Sequence, residues 1–398
     1  MKNPRVPRVV DRLGRPFDLV GTLRRSSFGD VYLAMLHPPV GPPEQVAVQL
    51  LARRIPPDPD TVAALHAEAE RLTELDHPFV LAPREVTEID ERIALVSPYL
   101  EGAELGACLQ GESRLPRSAL LEVGERVAGA LDAVWSQLGL VHRDVRPPNI
   151  RIGVMGEVRL VDFGVARRAR SDVMVGTIAY LAPERFDPDH ELDTASDVFS
   201  LGCVLYEGFT GSRTFDRVDT ARMFELASDA SAYHAFLHTR LGALRPGRAA
   251  DLIAATLAHD PTERPSAAEV AWACASIAAE WPEAISLRAW CRDRRWPRPG
   301  PPPTKGMLEA ATSKTVAPPP VRGPAGRPSP ARPTPVPADP PRRWERRGLV
   351  AAVLGAIGVA LAALSVVLLL LGLYWRQLEQ AADAPVPDAS QGSDLPRR

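Results

Sequence analysis

Lysine is nearly absent from this chain. Of 47 basic residues only Lys2, Lys305 and Lys314 are lysines, so none lies between Asn3 and Thr304. Any site in that stretch needing a fixed positive charge must take it from arginine, which presents a planar fork rather than a compact point charge. Net charge is also small, formally -2 over 398 residues. Arginines crowd residues 281–347 while acids spread over the first 280, so the basic balance belongs to a tail and no nucleic-acid partner is expected. Cysteine is scarce too. Cys108, Cys203, Cys274 and Cys291 show neither Cys-x-x-Cys spacing nor nearby histidine pairs, which points to reduced, buried thiols in a cytosolic setting and away from a metal site. Residues 1–18 are basic and broken by proline without an apolar run, so no secretory signal is expected.

What is present is core material, 45% hydrophobic residues, in a length that suits two to three domains or one large domain with appendages. The organising stretch is His-Arg-Asp-Val-Arg-Pro-Pro-Asn at residues 142–149. It sets Asp144 and Asn149 five residues apart on an expected loop between a helix and a strand. Phosphoryl transfer needs one carboxylate to orient a hydroxyl and accept its proton, and a neutral oxygen ligand for Mg²⁺ beside the phosphates. Alone, the octapeptide is also compatible with an ordinary polar loop, and its neighbours decide. An apolar strand at residues 158–161 leads into Asp162-Phe163-Gly164, thirteen residues after Asn149.

In this order the motifs resemble the bacterial eukaryotic-like (Hanks-type) serine/threonine protein kinases, whose catalytic loop reads His-Arg-Asp-Leu-Lys-Pro-x-Asn; Val145 stands for Leu and Arg146 for Lys. The resemblance covers about residues 18–275. It implies an α+β, two-lobed protein kinase-like fold at residues 11–280, with a small β-rich N-lobe and a larger helical C-lobe. It implies ATP and Mg²⁺ as cofactors and protein Ser/Thr hydroxyls as acceptors, with Asp144, Arg146 and Asn149 catalytic and Asn149 and Asp162 on the metal. Residues 19–34 resemble the Gly-rich loop, where Phe28, Gly29 and Val31 match. Residues 46–49, Val-Ala-Val-Gln, resemble the next strand, so that Val31 and Ala47 would enclose the adenine. Residues 93–102 resemble the hinge: Ser97 guards the pocket behind the adenine, and the Pro98 carbonyl and Leu100 amide face its edge.

Further matches concern the scaffold. A helix over residues 61–75 carries Glu68 at the family's partner-glutamate position, although by charge pattern alone it is one residue of a solvated face. Apolar residues at three- and four-residue spacing make residues 115–138 a long helix leading into the catalytic loop. Residues 176–184 resemble the end of an activation segment. The family then implies a buried pair between Glu184 and Arg264, and an anchor for the catalytic-loop backbone in Asp197. Between Gly164 and Gly176 the only hydroxyl is Ser171, either a phosphorylation site pairing with Arg143 or a plain loop serine. Arg146 and Thr177 favour Ser/Thr over tyrosine as acceptor.

Two departures fall on the side that grips phosphate. The first two glycine positions of the loop hold Arg24 and Ser26, whose side chains restrict positive φ. Gln49 stands where the family has its phosphate-binding lysine, offering a dipole in place of a full charge. Arg24, Arg25, Arg53 and Arg54 are the candidates for a substitute cation, set against the plainer expectation of surface arginines. Two functions follow: an active kinase with a weakened hold on ATP, or a pseudokinase serving as a nucleotide-binding or scaffolding module. Scarce lysine accounts for Arg146, where charge is kept, and not for Gln49, where it is lost. The intact Asp144, Asn149 and Asp162 favour the enzyme.

Beyond the kinase-like part, residues 281–347 are expected to be an Arg/Pro-rich disordered linker, since residues 297–341 hold sixteen prolines. Residues 349–374 run 26 positions without a charge. At 1.5 Å per residue that exceeds the ~30 Å hydrocarbon core, so residues 348–375 are expected to be a transmembrane helix. Arg342, Arg343, Arg346 and Arg347 precede it, which puts the kinase-like domain in the cytoplasm and residues 376–398 outside the inner or plasma membrane as a short tail. Ala352, Ala356 and Ala360 form a small-residue stripe, which either packs two such helices into a homodimer or is a product of alanine-rich composition.

Overall fold

The alternation of apolar and polar residues between residues 16 and 51 becomes three long antiparallel strands in the computed structural model. β1 (Arg8–Val10), β2 (Pro16–Arg24), β3 (Gly29–Leu36) and β4 (Glu44–Leu51) precede α1 (Pro59–Thr73), β5 (Glu85–Ile89) and β6 (Arg92–Pro98). The strands form one six-stranded sheet in the order β1-β2-β3-β4-β6-β5. The structure describes residues 6–26, 29–52, 59–111, 113–163, 178–187, 189–281, 284–304 and 307–308. All of these belong to a unit bounded by Met1–Ala317; a second unit, Pro318–Arg398, lies outside the described residues.

The strand period of two sorts the N-lobe side chains. Val46, Val48 and Leu50 of β4 join Phe17, Leu19, Tyr32, Ala34 and Val96 in one core. Ala47 and Gln49, interleaved with them, line a cleft. Each apolar side chain moved out of water contributes about 1.5–3 kcal/mol, so the register that buries this set is strongly specified. Register then aligns Arg24 with Val31, Val31 with Gln49, and Gln49 with Leu95. These four residues form one rank across four strands, and all four line the cleft.

Below the cleft lie β7 (Gly102–Glu104), α2 (Leu105–Cys108), α3 (Arg117–Leu138), β8 (Ile150–Gly153) and β9 (Val158–Leu160). The sheet β7-β8-β9 forms the floor. The helical lobe continues with α4 (Thr194–Thr210), α5 (Thr220–Ser228), α6 (Ala230–Leu241), α7 (Arg248–Thr256), α8 (Ala267–Ala279) and α9 (Leu287–Arg292). α3 presents Leu120, Leu121, Val127, Ala128 and Val134 to a core that also takes Val198, Leu201 and Leu205 of α4 and Val270 and Cys274 of α8. It ends at Gly139 in the left-handed region, φ 59, whose N–H returns to the helix carbonyls. α4 begins on the Asp193 side chain, which accepts from Ala195 N–H. α8 begins with a capping box between Ser266 and Glu269.

One boundary is corrected. Residues 281–308 were expected to belong to a disordered linker, yet those the structure describes are packed on both lobes. α9 buries Leu287 and Cys291 in the helical core, its first N–H donates to Glu122 Oε1 at 2.7 Å, and Arg294 stacks on Trp290. The chain then returns to the N-lobe. Gly300 pairs with Thr22 through N–H···O bonds of 3.1 and 2.8 Å, extending the edge of β2 beyond β1, and Leu308 enters the N-lobe core. Proline bars a strand from a sheet interior but not from such an edge. The expected membrane helix and outer tail lie outside the described residues, and no helix among the described residues is long and apolar enough to cross a membrane.

Candidate active site

The cleft between the two sheets is open to solvent, about 850 Å³ of empty space counting the solvent at its mouth. Its roof is the rank Arg24, Val31 and Gln49 with Ala47, its back is Leu95 and Ser97, its rim is Pro98, Tyr99 and Leu100, and its floor is Pro148, Arg151, Val161 and Asp162. The sequence-named nucleotide residues Val31, Ala47, Gln49, Pro98 and Leu100 thus line one space. Gly29, also named from the sequence, is not among the residues that line it; with φ 154, a Cβ there would lie 2.2 Å from Leu50 O, so only glycine fits against β4. Phe28, Arg53, Arg54, Ser171 and Thr177 lie outside the described residues. Glu68 is buried on α1 and not part of a solvated face. Gln49 is itself buried.

The catalytic loop is held from below. Asp197, buried on α4, accepts from His142 N–H at 2.6 Å and Arg143 N–H at 2.8 Å. Burial pushes its carboxyl up, and His142 with the two N–H donors pulls it partly back. The tether fixes Arg143 in the left-handed region, φ 68, immediately before Asp144. His142 locks the next segment: Nδ1 accepts from Asp144 N–H and Nε2 faces Val161 O at 2.9 Å, which identifies the Nε2–H tautomer. Its ring lies 4.5 Å from that of buried Phe163, so the loop and the Asp162-Phe163 turn share one support.

At the floor three named residues meet. Asp144 Oδ2 accepts from Arg146 Nε at 3.1 Å and from Asn149 Nδ2 at 2.9 Å. Asn149 Nδ2 also reaches Asp144 O at 2.9 Å, leaving Oδ1 directed upward. Asp162, left-handed at φ 59, turns its carboxylate to the same place. That place is filled from the roof. The Arg24 guanidinium donates through NH1 to Asn149 Oδ1 at 3.1 Å and Pro148 O at 3.2 Å, and through NH2 to Asp162 Oδ2. Its Nε lies 3.8 Å from Glu104 Oε1.

The expectation that Arg24 is a surface arginine is therefore corrected, since its side chain is 14% exposed. Burial works against its charge, but Asp162, then Glu104 and Asp144, outweigh it and leave the guanidinium pKa raised. Arg25, by contrast, faces outward to Met307 Sδ at 3.2 Å.

The sequence reading missed two further cleft residues. Arg151 lies between Ile150 and Ile152, both fully buried; the period of two turns it into the cleft, where it donates to Leu100 O at 2.9 Å. Burial lowers its pKa against the pull of Glu104. Glu104, at the head of α2, has its carboxyl raised by burial, with Arg24 and Arg151 pulling the other way. The apolar-charged-apolar triplet at residues 150–152 was the available signal for Arg151. Nothing local marked Glu104.

The Mg²⁺ that the motifs imply fits this donor set. Asn149 Oδ1 and Asp162 Oδ2 are hard oxygen donors close enough to be bridged by one guanidinium. Among the described residues no group of three His, Cys, Asp or Glu side chains could hold a metal ion, so phosphate and water would complete its shell, as is usual for Mg²⁺. Elsewhere, Arg264 forms a bidentate pair with Glu184 at 2.6 and 2.8 Å, buried and capped by the Phe199 ring. It fixes the segment at residues 178–187 against α4.

Residues 20–273 match the family described as Protein kinase domain. The chain is similar to serine/threonine-protein kinase PknE of Mycobacterium bovis, 32% identical over 203 residues that make up 50% of this chain and 35% of that protein. It is similar to PknA of Mycobacterium tuberculosis, 31% identical over 349 residues, 81% of this chain and 75% of that protein. The aligned part spans about a third of the length of PknE and of Mycobacterium leprae PknB. Among solved structures, the Mycobacterium tuberculosis PknI kinase domain superposes with a TM-score of 0.50 at 25% identity, covering 66% of this chain and 96% of that one. With its two lobes and the order of its motifs, this chain belongs to the protein kinase family, beside the bacterial Hanks-type serine/threonine kinases.

Proposed function

We propose that this protein is a membrane-anchored serine/threonine protein kinase that moves the γ-phosphoryl group of ATP to a Ser or Thr hydroxyl of a protein. The observation that carries the reading is the convergence of Asp144, Asn149 and Asp162 under the cleft lined by Val31, Ala47, Pro98 and Leu100. Adenine enters between Val31 and Ala47, with its edge toward the Pro98 carbonyl and the Leu100 amide. Asp144 orients the acceptor hydroxyl and takes its proton as the new O–P bond forms and the bond to the β-phosphate oxygen breaks. Arg146, on the same carboxylate oxygen as Asn149, steadies Asp144. Asn149 and Asp162 hold Mg²⁺, which when bound neutralises phosphate charge. Gln49 contributes only an amide where a cation is usual, so phosphate grip is weak; losing one preorganised donor costs on the order of 10²–10³ in rate.

Anchoring rests on the uncharged residues 349–374 and the preceding arginines. They support a single span with the kinase domain in the cytoplasm, and the alanine stripe supports pairing of two spans. Protease protection of residues 376–398 in sealed vesicles tests the topology.

A second reading, a nucleotide-binding module without transfer, is favoured by one observation, the Arg24 guanidinium on Asn149 and Asp162. Phosphate transfer from labelled ATP by the purified chain, beside Asp144→Asn and Gln49→Lys, decides between the two. A kinase gives incorporation that Asp144→Asn abolishes and Gln49→Lys raises. Wild-type signal equal to Asp144→Asn rejects the enzyme, and a nucleotide-dependent thermal shift would then leave the second reading.

A further inference from the structure

Two cations cannot share the oxygens at the floor of this cleft. Arg24 stands at the end of β2, and its guanidinium bonds Asn149 Oδ1, Pro148 O and Asp162 Oδ2 with Glu104 alongside. These contacts join positions 124 to 138 residues apart in sequence. The donor end of the side chain is fixed by these bonds, while its buried Nε has no hydrogen-bond partner. The group is therefore placed by the acids and carbonyls at the floor and not by its own strand. Asn149 Oδ1 and Asp162 Oδ2 are the same two oxygens that would ligate a divalent ion. A guanidinium and a divalent cation on one carboxylate oxygen repel each other, and in this buried setting water screens that repulsion little.

We infer that Arg24 sets the metal affinity of the site: its guanidinium and a divalent cation are alternative occupants of Asn149 Oδ1 and Asp162 Oδ2, and metal enters only as Arg24 leaves. The inference rests on the reading of Asn149 and Asp162 as metal ligands. The chain thus carries its own competitor for its metal, at the last residue of β2, where a glycine would leave the oxygens open. Charge complementarity makes the competition specific. Arg25, one residue on, faces away, and Arg146 and Arg151 are engaged by Asp144 and Leu100 O.

Mn²⁺ serves as the probe, its free fraction read by electron paramagnetic resonance in titrations of the full chain without nucleotide. Arg24→Met keeps the apolar stem and removes the charge; Arg24→Gln keeps a polar head and removes the charge. Both are expected to bind Mn²⁺ at least about tenfold more tightly than wild type, the factor corresponding to one charge-assisted hydrogen bond. Adding Asp162→Asn to either variant is expected to remove the gain. Equal Mn²⁺ affinity in wild type and both variants overturns the inference, as does a gain that survives Asp162→Asn. A nucleotide thermal shift measured in parallel separates the two claims. Tighter Mn²⁺ without any nucleotide shift upholds the competition and rejects the kinase reading, whereas a nucleotide shift with unchanged Mn²⁺ affinity overturns the competition and leaves nucleotide binding standing, with transfer decided by the labelled-ATP assay.

Discussion

Replacing Asp197 by Ala tests how the fold positions the proposed base. The carboxylate accepts two backbone N–H bonds, from His142 at 2.6 Å and Arg143 at 2.8 Å, at a site that is 1% exposed. Hydrogen bonds to a charged partner contribute about 1.5–3 kcal/mol each, so holding the loop in place without them costs about 3–6 kcal/mol. The loop has an alternative. Arg143 sits at φ 68, and letting it leave the left-handed region returns about 1–2 kcal/mol. The expected net loss is therefore about 1–5 kcal/mol, with the relaxation carried straight into Asp144.

A base displaced by an ångström costs on the order of 10² in rate. Most of the roof that would hold the nucleotide lies on β2, β3 and β4, which Asp197 does not touch. The variant should then lose kcat for phosphate transfer with KM for ATP within roughly threefold of wild type, a split that marks positioning and not binding. Asp197→Asn retains one acceptor but turns an amide toward an N–H, and should fall between. Thermal denaturation and initial rates measure both arms. A stability change under about 0.5 kcal/mol, the range of an ordinary surface substitution, would refute the tether argument.

Three further outcomes follow from other parts of the structure. The Asp18 carboxyl is held down at about 2, first by its hydrogen bonds from Arg8, against desolvation, and with help from His37. Its folded pKa lies below its unfolded one, so its stabilisation is present above pH ~4 and is lost as pH falls toward 2; Asp18→Asn should flatten that limb by up to about 1 kcal/mol, less in high salt, because the pair is exposed. All four cysteines are buried and unpaired, and burial pushes Cys108 and Cys291 up to about 11 and Cys274 up to about 12. A thiol reagent at pH 8 should therefore leave them unmodified in the native chain and titrate four only after denaturation; fast native labelling would contradict the packing. Leu308→Asp should lower the melting temperature by removing about 1.5–3 kcal/mol of apolar burial, and should speed hydrogen exchange at the Thr22 amide, which donates to Gly300 O; unchanged exchange there would show that the returning segment is not held through Leu308.

Much of this site could be read from residue order alone, because its parts lie in short, locally determined pieces. The catalytic loop is bounded by a helix with a 3.6 period and an apolar strand, and the motif resemblance named Asp144, Asn149 and Asp162, which the structure brings to one floor. Gln49 stood out only against the lysine that the family resemblance implies at that position, and the Glu184–Arg264 pair followed from the same resemblance. Arg24 could be named only as one of four candidate cations, since the reach of a long side chain to partners more than a hundred residues away leaves no mark in a local pattern. The segment at residues 284–308 was misread for a different reason. Its prolines and arginines signal a chain that cannot build a core of its own, and it does not; it borrows two existing ones, through Leu287 and Cys291 in the helical lobe and Leu308 in the other. Gly300, set between prolines, supplies the N–H and carbonyl that an edge pairing with Thr22 requires.

The two departures at the roof are best understood as one. Arg24 and Gln49 stand in the same rank with Val31 between them, two strand spacings or about 10 Å apart at the backbone. A lysine at position 49 would project beneath the same roof that Arg24 crosses, and its charge would be repelled by the guanidinium there. The floor, with Asp162, Glu104 and Asp144 answered by Arg24, Arg146 and Arg151, is already balanced in charge. Loss of the cation at 49 and its presence at 24 are thus mutually consistent. The positive charge of the cleft has not vanished with lysine; it has moved across two strands, from where it would meet phosphate to where it meets the acids that would hold the metal.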